Sequence, residues 1–386
     1  MKNFDTDAIV KQAMEVDGLS DFGDESFREP MEKMLWSFEY EAKLNELGVA
    51  TIRQRVVDIL ASRARVQNYL KRYPEILDEE IVQPLVIVGL PRTGTTMLHR
   101  TISADDRMYA PLWYEVRFPS PALDWDFSSA NDRRIVDAKA EMQMMLDASP
   151  DLMSVHPMDA MGPDEEIMLL EQSFFSYQQE AMANIPTFGH WLERQDHTQG
   201  YEYLKLLLQF LQWQKKRSGQ LGERWALKAP HHLHFMDIVF KVFPDAKVVQ
   251  SHRDPLDTIP SLTSMIHALW VVYSDETDGA EVGRQWSRKF SRGLAHTMEV
   301  RKEVGEDRFL DLWFKDTVSR PLQEIQKVYD FLNMEFTEKA KCEMEVWQDF
   351  NRRELRPSHD YTLEQFGFTE SGLRKQFASY RSRFID

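Results

Sequence analysis

Pro84-Leu-Val-Ile-Val-Gly-Leu-Pro-Arg-Thr-Gly-Thr-Thr-Met-Leu-His-Arg-Thr-Ile102 is the stretch that decides the fold. Its opening residues, Pro84 to Val88, form a short apolar run rich in β-branched side chains, which predicts a buried strand. Gly89 and Gly94 bracket the loop that follows, and two glycines let a backbone turn tightly and approach an anion closely. Met97 to Ile102 then predicts a helix. The amide N–H groups at the start of such a helix point at any anion held in the loop, and the helix dipole favours negative charge there. Thr93, Thr95 and Thr96 add hydroxyl donors, and Arg92 adds a fixed cation. Strand, glycine loop and helix in this order open an α/β fold.

Gly89-x-x-x-x-Gly94-Thr95-Thr96 has the spacing of a nucleotide-binding P-loop with one change. Thr95 stands where the lysine should be. That lysine reaches the β- and γ-phosphates in nucleoside triphosphatases, so its absence argues against that class.

Further along the chain, Trp225-Ala-Leu-Lys228, Ala246 to Ser251 and Phe309 to Phe314 predict three more strands. The third strand run passes into His252-Arg253-Asp254-Pro255. Asp254 suits an N-cap and Pro255 a first helical position. Ser261 falls eight residues after Arg253, about two turns into that helix. Arg253 and Ser261 converge on one phosphate if the chain turns back at Asp254. Asp275 to Gly283 reads as an acidic surface loop. Residues 1–80 read as a helical N-terminal extension, with Thr51 as a helix N-cap and Pro74 past the helix end. Residues 120–222 read as a helical insertion in an α/β domain spanning 81–386, the insertion lying on the acceptor side. The expected fold is a P-loop-type parallel sheet flanked by helices.

Together these motifs resemble the sulfotransferases. Gly-x-Pro-Arg-Thr-Gly-Thr-Thr is similar to that family's 5′-phosphosulfate loop, and Arg253 with Ser261 has the spacing of its 3′-phosphate site. Phe314-Lys-Asp-Thr with the segment Pro321 to Asn333 resembles the family's acidic turn and following helix. His359-x-Tyr-x-Leu-x-x-Phe-Gly resembles the C-terminal signature of the bacterial branch. The common cytosolic enzymes carry a lysine where this chain has Arg92, a tryptophan near Met97 and a glutamate at Lys315. These departures point to the bacterial branch. The resemblance implies 3′-phosphoadenosine 5′-phosphosulfate (PAPS) as co-substrate, held by Arg92, Thr93, Gly94, Thr95, Thr96, Arg253 and Ser261. It gives 3′,5′-adenosine bisphosphate (PAP) and a sulfate ester as products. A sulfuryl group carries less charge than a phosphoryl group, so no metal is expected.

Sulfuryl transfer needs a base for the acceptor hydroxyl, in-line geometry, and fixed donors for the charge growing on the leaving phosphate. Arg92 fits the last role, and the resemblance gives it to Lys228 as well. The base has two sources. Glu115 lies where the bacterial branch can carry a glutamate after the loop helix. His231 and His232 follow Lys228 closely, and the Lys-x-Pro-x-His pattern favours His232 of the two. His231, His232, His234 and His252 have no cysteine or acidic ligand at zinc spacing, so they do not read as a metal site. His156 and Glu165-Glu166 resemble a family stretch near the acceptor, with no role assigned.

The composition narrows the partners. Net charge is −16, from 63 acidic and 47 basic residues. Nucleic-acid binding rests on Lys and Arg, so this balance argues against that class. The single cysteine, Cys342, reads as an apolar filler on a helix. Met1 to Gly18 has interspersed charges rather than an apolar block, and no run approaches a membrane span. A cytoplasmic protein without membrane partners is the expectation, and a homo-oligomer is compatible with it. The Met- and aromatic-rich middle suggests an apolar small-molecule hydroxyl acceptor, although core packing explains the same residues. Two other readings share these motifs. One is a PAP- or PAPS-binding protein without transfer activity, and the other is a small-molecule kinase with a degenerate P-loop.

Overall fold

The computed structural model describes residues 2–127, 132–148, 158–351 and 362–386. Within them five strands form one parallel sheet: β1 (Leu85–Gly89), β2 (Met108–Tyr109), β3 (Arg224–Lys228), β4 (Lys247–His252) and β5 (Phe309–Trp313). Their order is β2-β3-β1-β4-β5. β1 is central and all five of its residues are buried. Its apolar run is continuous because helices cover both faces of the sheet. Side chains alternate along it as a strand requires. Val86 and Val88 enter the core cluster that holds Trp225, Leu227 and Val248. Leu85 and Ile87 enter the opposite one, with Leu98, Ala226, Val249 and Ile325.

Four of these strands match the sequence expectation. β2 does not appear there, because two residues give no apolar run to read. The sheet order also fixes where a ligand can bind. The chain leaves β1 towards β2 and β3, but leaves β4 towards β5 on the other side. The carboxyl ends of β1 and β4 therefore flank a topological switch point, where open α/β sheets take their ligands. Gly89 pairs with Ser251 across this gap, and Ile87 pairs with Lys228 on the β3 side.

The N-terminal helices Thr6–Asp17, Arg28–Tyr40 and Glu46–Arg72 bury Met31, Phe38, Val57 and Leu60 in one cluster. Phe174, Phe175 and Phe188 of the middle segment complete that cluster. Arg55 ties the two parts together by donating from Nε to Glu171 at 3.0 Å. The long helix starts before Thr51. Asn45 is its N-cap, with its side chain accepting from Gly48 N at 2.8 Å. Among the described middle residues, the helices are Arg133–Ala148, Ile167–Glu171, Pro186–Leu192 and Thr198–Arg217.

Three further expectations change. Asp275 to Gly283 is loop only in its first part, because Asp278 caps a helix running Gly279–Val304. Cys342 lies on the helix Glu338–Phe350, as expected, but is exposed rather than a packing filler. The Phe314-Lys-Asp-Thr turn is the start of a helix, Phe314–Ser319. His156 and the stretch from His359 to Tyr361 lie outside the described residues.

Candidate active site

The loop after β1 has the shape an anion cradle needs. Arg92 and Gly94 both adopt positive φ, 74° and 83°. That region costs a side-chain-bearing residue energy, so Arg92 is held there by its surroundings. Gly89 has no room for a side chain. A Cβ there would meet Ser251 O and Thr93 Oγ1 at 2.7 Å each. Thr93 is buried, and its hydroxyl donates to Leu90 O at 2.7 Å. It therefore shapes the loop from within. Gly94 caps the helix Thr95–Ile102. Thr95 is buried, Thr96 is half-buried and Arg92 is exposed.

The β4 side meets this loop directly. Ser251 Oγ donates to Thr93 O at 2.7 Å, and Arg253 Nη1 donates to Arg92 O at 3.2 Å. Asp254 caps the helix Pro255–Tyr273, accepting from Leu256 N at 3.0 Å. The Arg253 guanidinium also reaches Asp257 at 3.3 Å and lies 4.5 Å from the centre of the Phe314 ring. Phe314 in turn packs beside Gly94. Ser261 is half-buried on the same helix, about two turns along. Here Arg253 folds towards the loop between Gly89 and Gly94.

From the β3 side comes Lys228, whose side chain is almost fully buried. Its Nζ donates to Thr96 Oγ1 at 3.2 Å and pairs with the Glu165 carboxylate. The two side chains differ in access: Lys228 is 2% exposed and Glu165 is 20% exposed. Glu165 thus offers a carboxylate at the mouth of the site, against the lysine that ends β3. Glu166, next in sequence, turns inward. It accepts from the Lys228 backbone N–H at 2.8 Å and contacts His232 Nε2 at 2.6 Å. His232 Nδ1 meets Tyr201 OH at 2.8 Å. Burial alone would raise the Glu166 carboxyl; its bonds to His232 and to the Lys228 N–H outweigh that and hold it below the ordinary range. His99 lies fully buried beside this group. Burial, with the Lys228 charge adding, pushes it down to about 4.

Two of the three sequence candidates for the base sit elsewhere, and the third is engaged on both sides. Glu115 is buried and ion-paired with Lys215 at 2.7 Å. Its other oxygen accepts from Leu112 N at 2.8 Å, closing the first turn of the helix Trp113–Arg117. His231 faces a separate cavity. His232 has both ring nitrogens in hydrogen bonds. The carboxylate that meets the Lys228 side chain is Glu165. The sequence offered only the acidic pair Glu165-Glu166 as a signal, because its partner is 63 residues away.

Among the described residues, no three His, Cys, Asp or Glu side chains are grouped to hold a metal ion. No described helix is long and apolar enough to cross a membrane.

Comparison with known proteins agrees with this architecture. The chain is similar to omega-hydroxy-beta-dihydromenaquinone-9 sulfotransferase Stf3 of Mycobacterium bovis and of Mycobacterium tuberculosis. It is 27% identical to each over 264 residues, which make up 65% of this chain and 63% of the relative. The match thus spans just under two thirds of the length of these curated relatives. Among solved structures, sulfotransferase STF1 from Mycobacterium tuberculosis superposes with a TM-score of 0.85 at 28% identity, covering 98% of this chain and 100% of that one. Sulfotransferase STF9 from Mycobacterium avium gives a TM-score of 0.87 at 25% identity, covering 98% and 96%. Residues 84–338, from the start of β1 to beyond the helix after β5, match the sulfotransferase family, and this chain belongs to it.

Proposed function

We propose that the chain transfers the sulfuryl group of PAPS to the hydroxyl of an apolar small molecule, with Glu165 as the base. The observation that carries this reading is the meeting of three elements at one sheet edge. They are the Arg92 loop, Arg253 bonded back onto it, and the Lys228–Glu165 pair touching Thr96. Two separate cationic points suit the two phosphate positions of the donor. The helix N-terminus at Thr95 and the positive-φ loop suit its 5′ end. Ser261 is assigned to the 3′-phosphate with Arg253.

In the step itself, the acceptor oxygen bonds to sulfur while the bond from sulfur to the bridging phosphate oxygen breaks. The acceptor proton passes to Glu165. Lys228, Arg92 and the loop amides meet the charge left on the phosphate. Glu166, His232 and Tyr201 position this pair from behind: the buried carboxylate holds the backbone of Lys228 and is itself held by His232.

The acceptor side is rich in methionine. Met168, just past Glu166, packs with Met142 and Met145 against Trp113. Met142 and Met145 continue to Met158, Met265 and Leu269. The last two lie on the helix that carries Ser261. Flexible thioethers suit an irregular apolar substrate. The Stf3 relatives are named for an omega-hydroxy acceptor, which agrees in chemistry with an alcohol here.

Calorimetric titration with PAP tests the donor site. Arg253→Ala removes charge-assisted bonds worth roughly 1.5–3 kcal/mol, so PAP affinity falls roughly 10- to 100-fold. AMP, lacking the 3′-phosphate, binds much more weakly to the parent protein. Unchanged PAP affinity in the variant, or a preference for Mg-ATP, would refute the donor assignment.

A further inference from the structure

A cavity of about 670 Å³ opens between the helices Met236–Val242 and Gly279–Val304 and the segment around Leu192 to His197. Arg92, Thr96, Glu165, Lys228 and Arg253 take no part in its lining. Its inner wall is formed by Tyr177, His197, His231, His234 and Phe235. His231 is fully buried, and neither of its ring nitrogens has a hydrogen-bond partner among the described residues. His197 Nδ1 and His234 Nε2 are also buried without partners among those residues. Such atoms cost about 1–3 kcal/mol each when nothing satisfies them. A cluster of them around one cavity points to a ligand.

The chemistry of the wall says which kind. His197 Nε2 bonds Leu192 O at 2.9 Å, so it carries the proton and leaves Nδ1 as an acceptor. Burial pushes His231 and His234 well below the usual imidazole range and His197 to about 4, so all three are neutral at physiological pH. Neutral imidazoles give an anion no charge to bind. The other acidic and basic groups that line the cavity already have partners among themselves. Glu193 meets Lys289 at 3.3 Å and also pairs with Arg292, and Asp237 meets His296 at 2.7 Å. A charged ligand would have to break those pairs, and an uncharged one would not. Flat surfaces line the interior. The His197 and Phe235 rings stack with centroids 3.5 Å apart, and the Tyr177 and His231 centroids are 4.6 Å apart.

We propose that this cavity is a second ligand site, separate from the sulfuryl-transfer site, that takes an uncharged, planar molecule with a hydroxyl donor, of the phenol class. The hydroxyl bonds to the free nitrogens of His231 and His197, and the ring lies against the aromatic wall.

The test is a titration of the whole 386-residue chain with phenol, without sulfuryl donor, followed by the histidine ring signals in NMR. Anisole, which lacks the donor, and benzoate, which is charged, serve as comparisons. Phenol is expected to bind saturably and shift the His231 signals. Anisole should bind about tenfold more weakly, one neutral hydrogen bond's worth. His231→Leu and, separately, His197→Phe should each weaken phenol about tenfold or more while leaving PAP affinity unchanged. Absence of saturable phenol binding would mean that the cavity holds only water, and the proposal fails. Equal binding of phenol and anisole, or phenol affinity unmoved in both variants, also overturns it, because phenol would then sit elsewhere. The phenol–anisole comparison on the parent protein needs no variant to fold. A failure of PAP to bind would count against the donor assignment alone and leave this titration readable.

Discussion

Replacing Glu165 with glutamine lowers turnover by about 10²- to 10⁴-fold, the usual contribution of a positioned general base. The carboxylate sits against Lys228, and its 20% exposure leaves it open to an acceptor. Glutamine keeps the shape but cannot take the proton. PAP affinity should stay within about threefold, because the loss falls on a step rather than on donor binding. Single-turnover transfer from labelled PAPS, with calorimetry of PAP alongside, reads both. Turnover near the parent value in Glu165→Gln would remove the residue from the mechanism. Glu115→Gln makes the opposite prediction. Breaking its buried pair with Lys215 leaves a charge without a partner, which costs about 3–5 kcal/mol of stability. The variant therefore loses denaturant resistance, while its folded fraction turns over within severalfold of the parent. If Glu115→Gln instead folds normally and is inactive, the two carboxylates have been assigned the wrong way round.

Stability should fall steeply as pH drops from about 6.5 towards 4. Burial holds His99 and His197 at about 4, and burial also holds His231 and His234 well below the usual value. In the unfolded chain these groups titrate near 6.5. Between the two values the unfolded state binds protons that the folded state refuses, so the stabilising contribution is complete above about 6.5 and is lost as pH falls to the folded values. Each such proton is worth about 1.4 kcal/mol per pH unit. His99 and His197 alone therefore remove roughly 3 kcal/mol per pH unit across that window. Positive neighbours reinforce the effect: Lys228 faces His99, and Lys289 faces His197, His231 and His234. Asp311, held low by Arg301 and His252 against the opposing effect of burial, adds to the loss only in more acidic solution. Urea midpoints should be level between pH 7 and 8 and drop sharply by pH 5. A flat profile down to pH 5 would mean that these rings take up protons without unfolding.

The sequence by itself determined the sheet edge that the site is built on. Leu85 to Thr96 reads as strand, loop and helix because each step has a local cause: an apolar β-branched run, a glycine, Gly94, where the backbone turns left-handed, and a helix start. Asp254 and Pro255 mark the second helix start for equally local reasons. Arg92, Lys228 and Arg253 were legible because each lies at the end of a strand or within three residues after it, and a parallel sheet delivers its strand ends to one edge. The tertiary structure alone decided which carboxylate meets Lys228. Glu115 and Glu165 are both acidic residues near helix starts, and no spacing distinguishes them. Packing of the middle segment sends Glu115 to Lys215 and brings Glu165 to Lys228 across 63 residues. It likewise engages both nitrogens of His232 while leaving those of its neighbour His231, a residue that lines a cavity, without a partner among the described residues. Short-range sterics and hydrophobic periodicity are written along the chain. The partner of a polar side chain is set by which surfaces the folded core brings together, and that information is spread over the whole sequence.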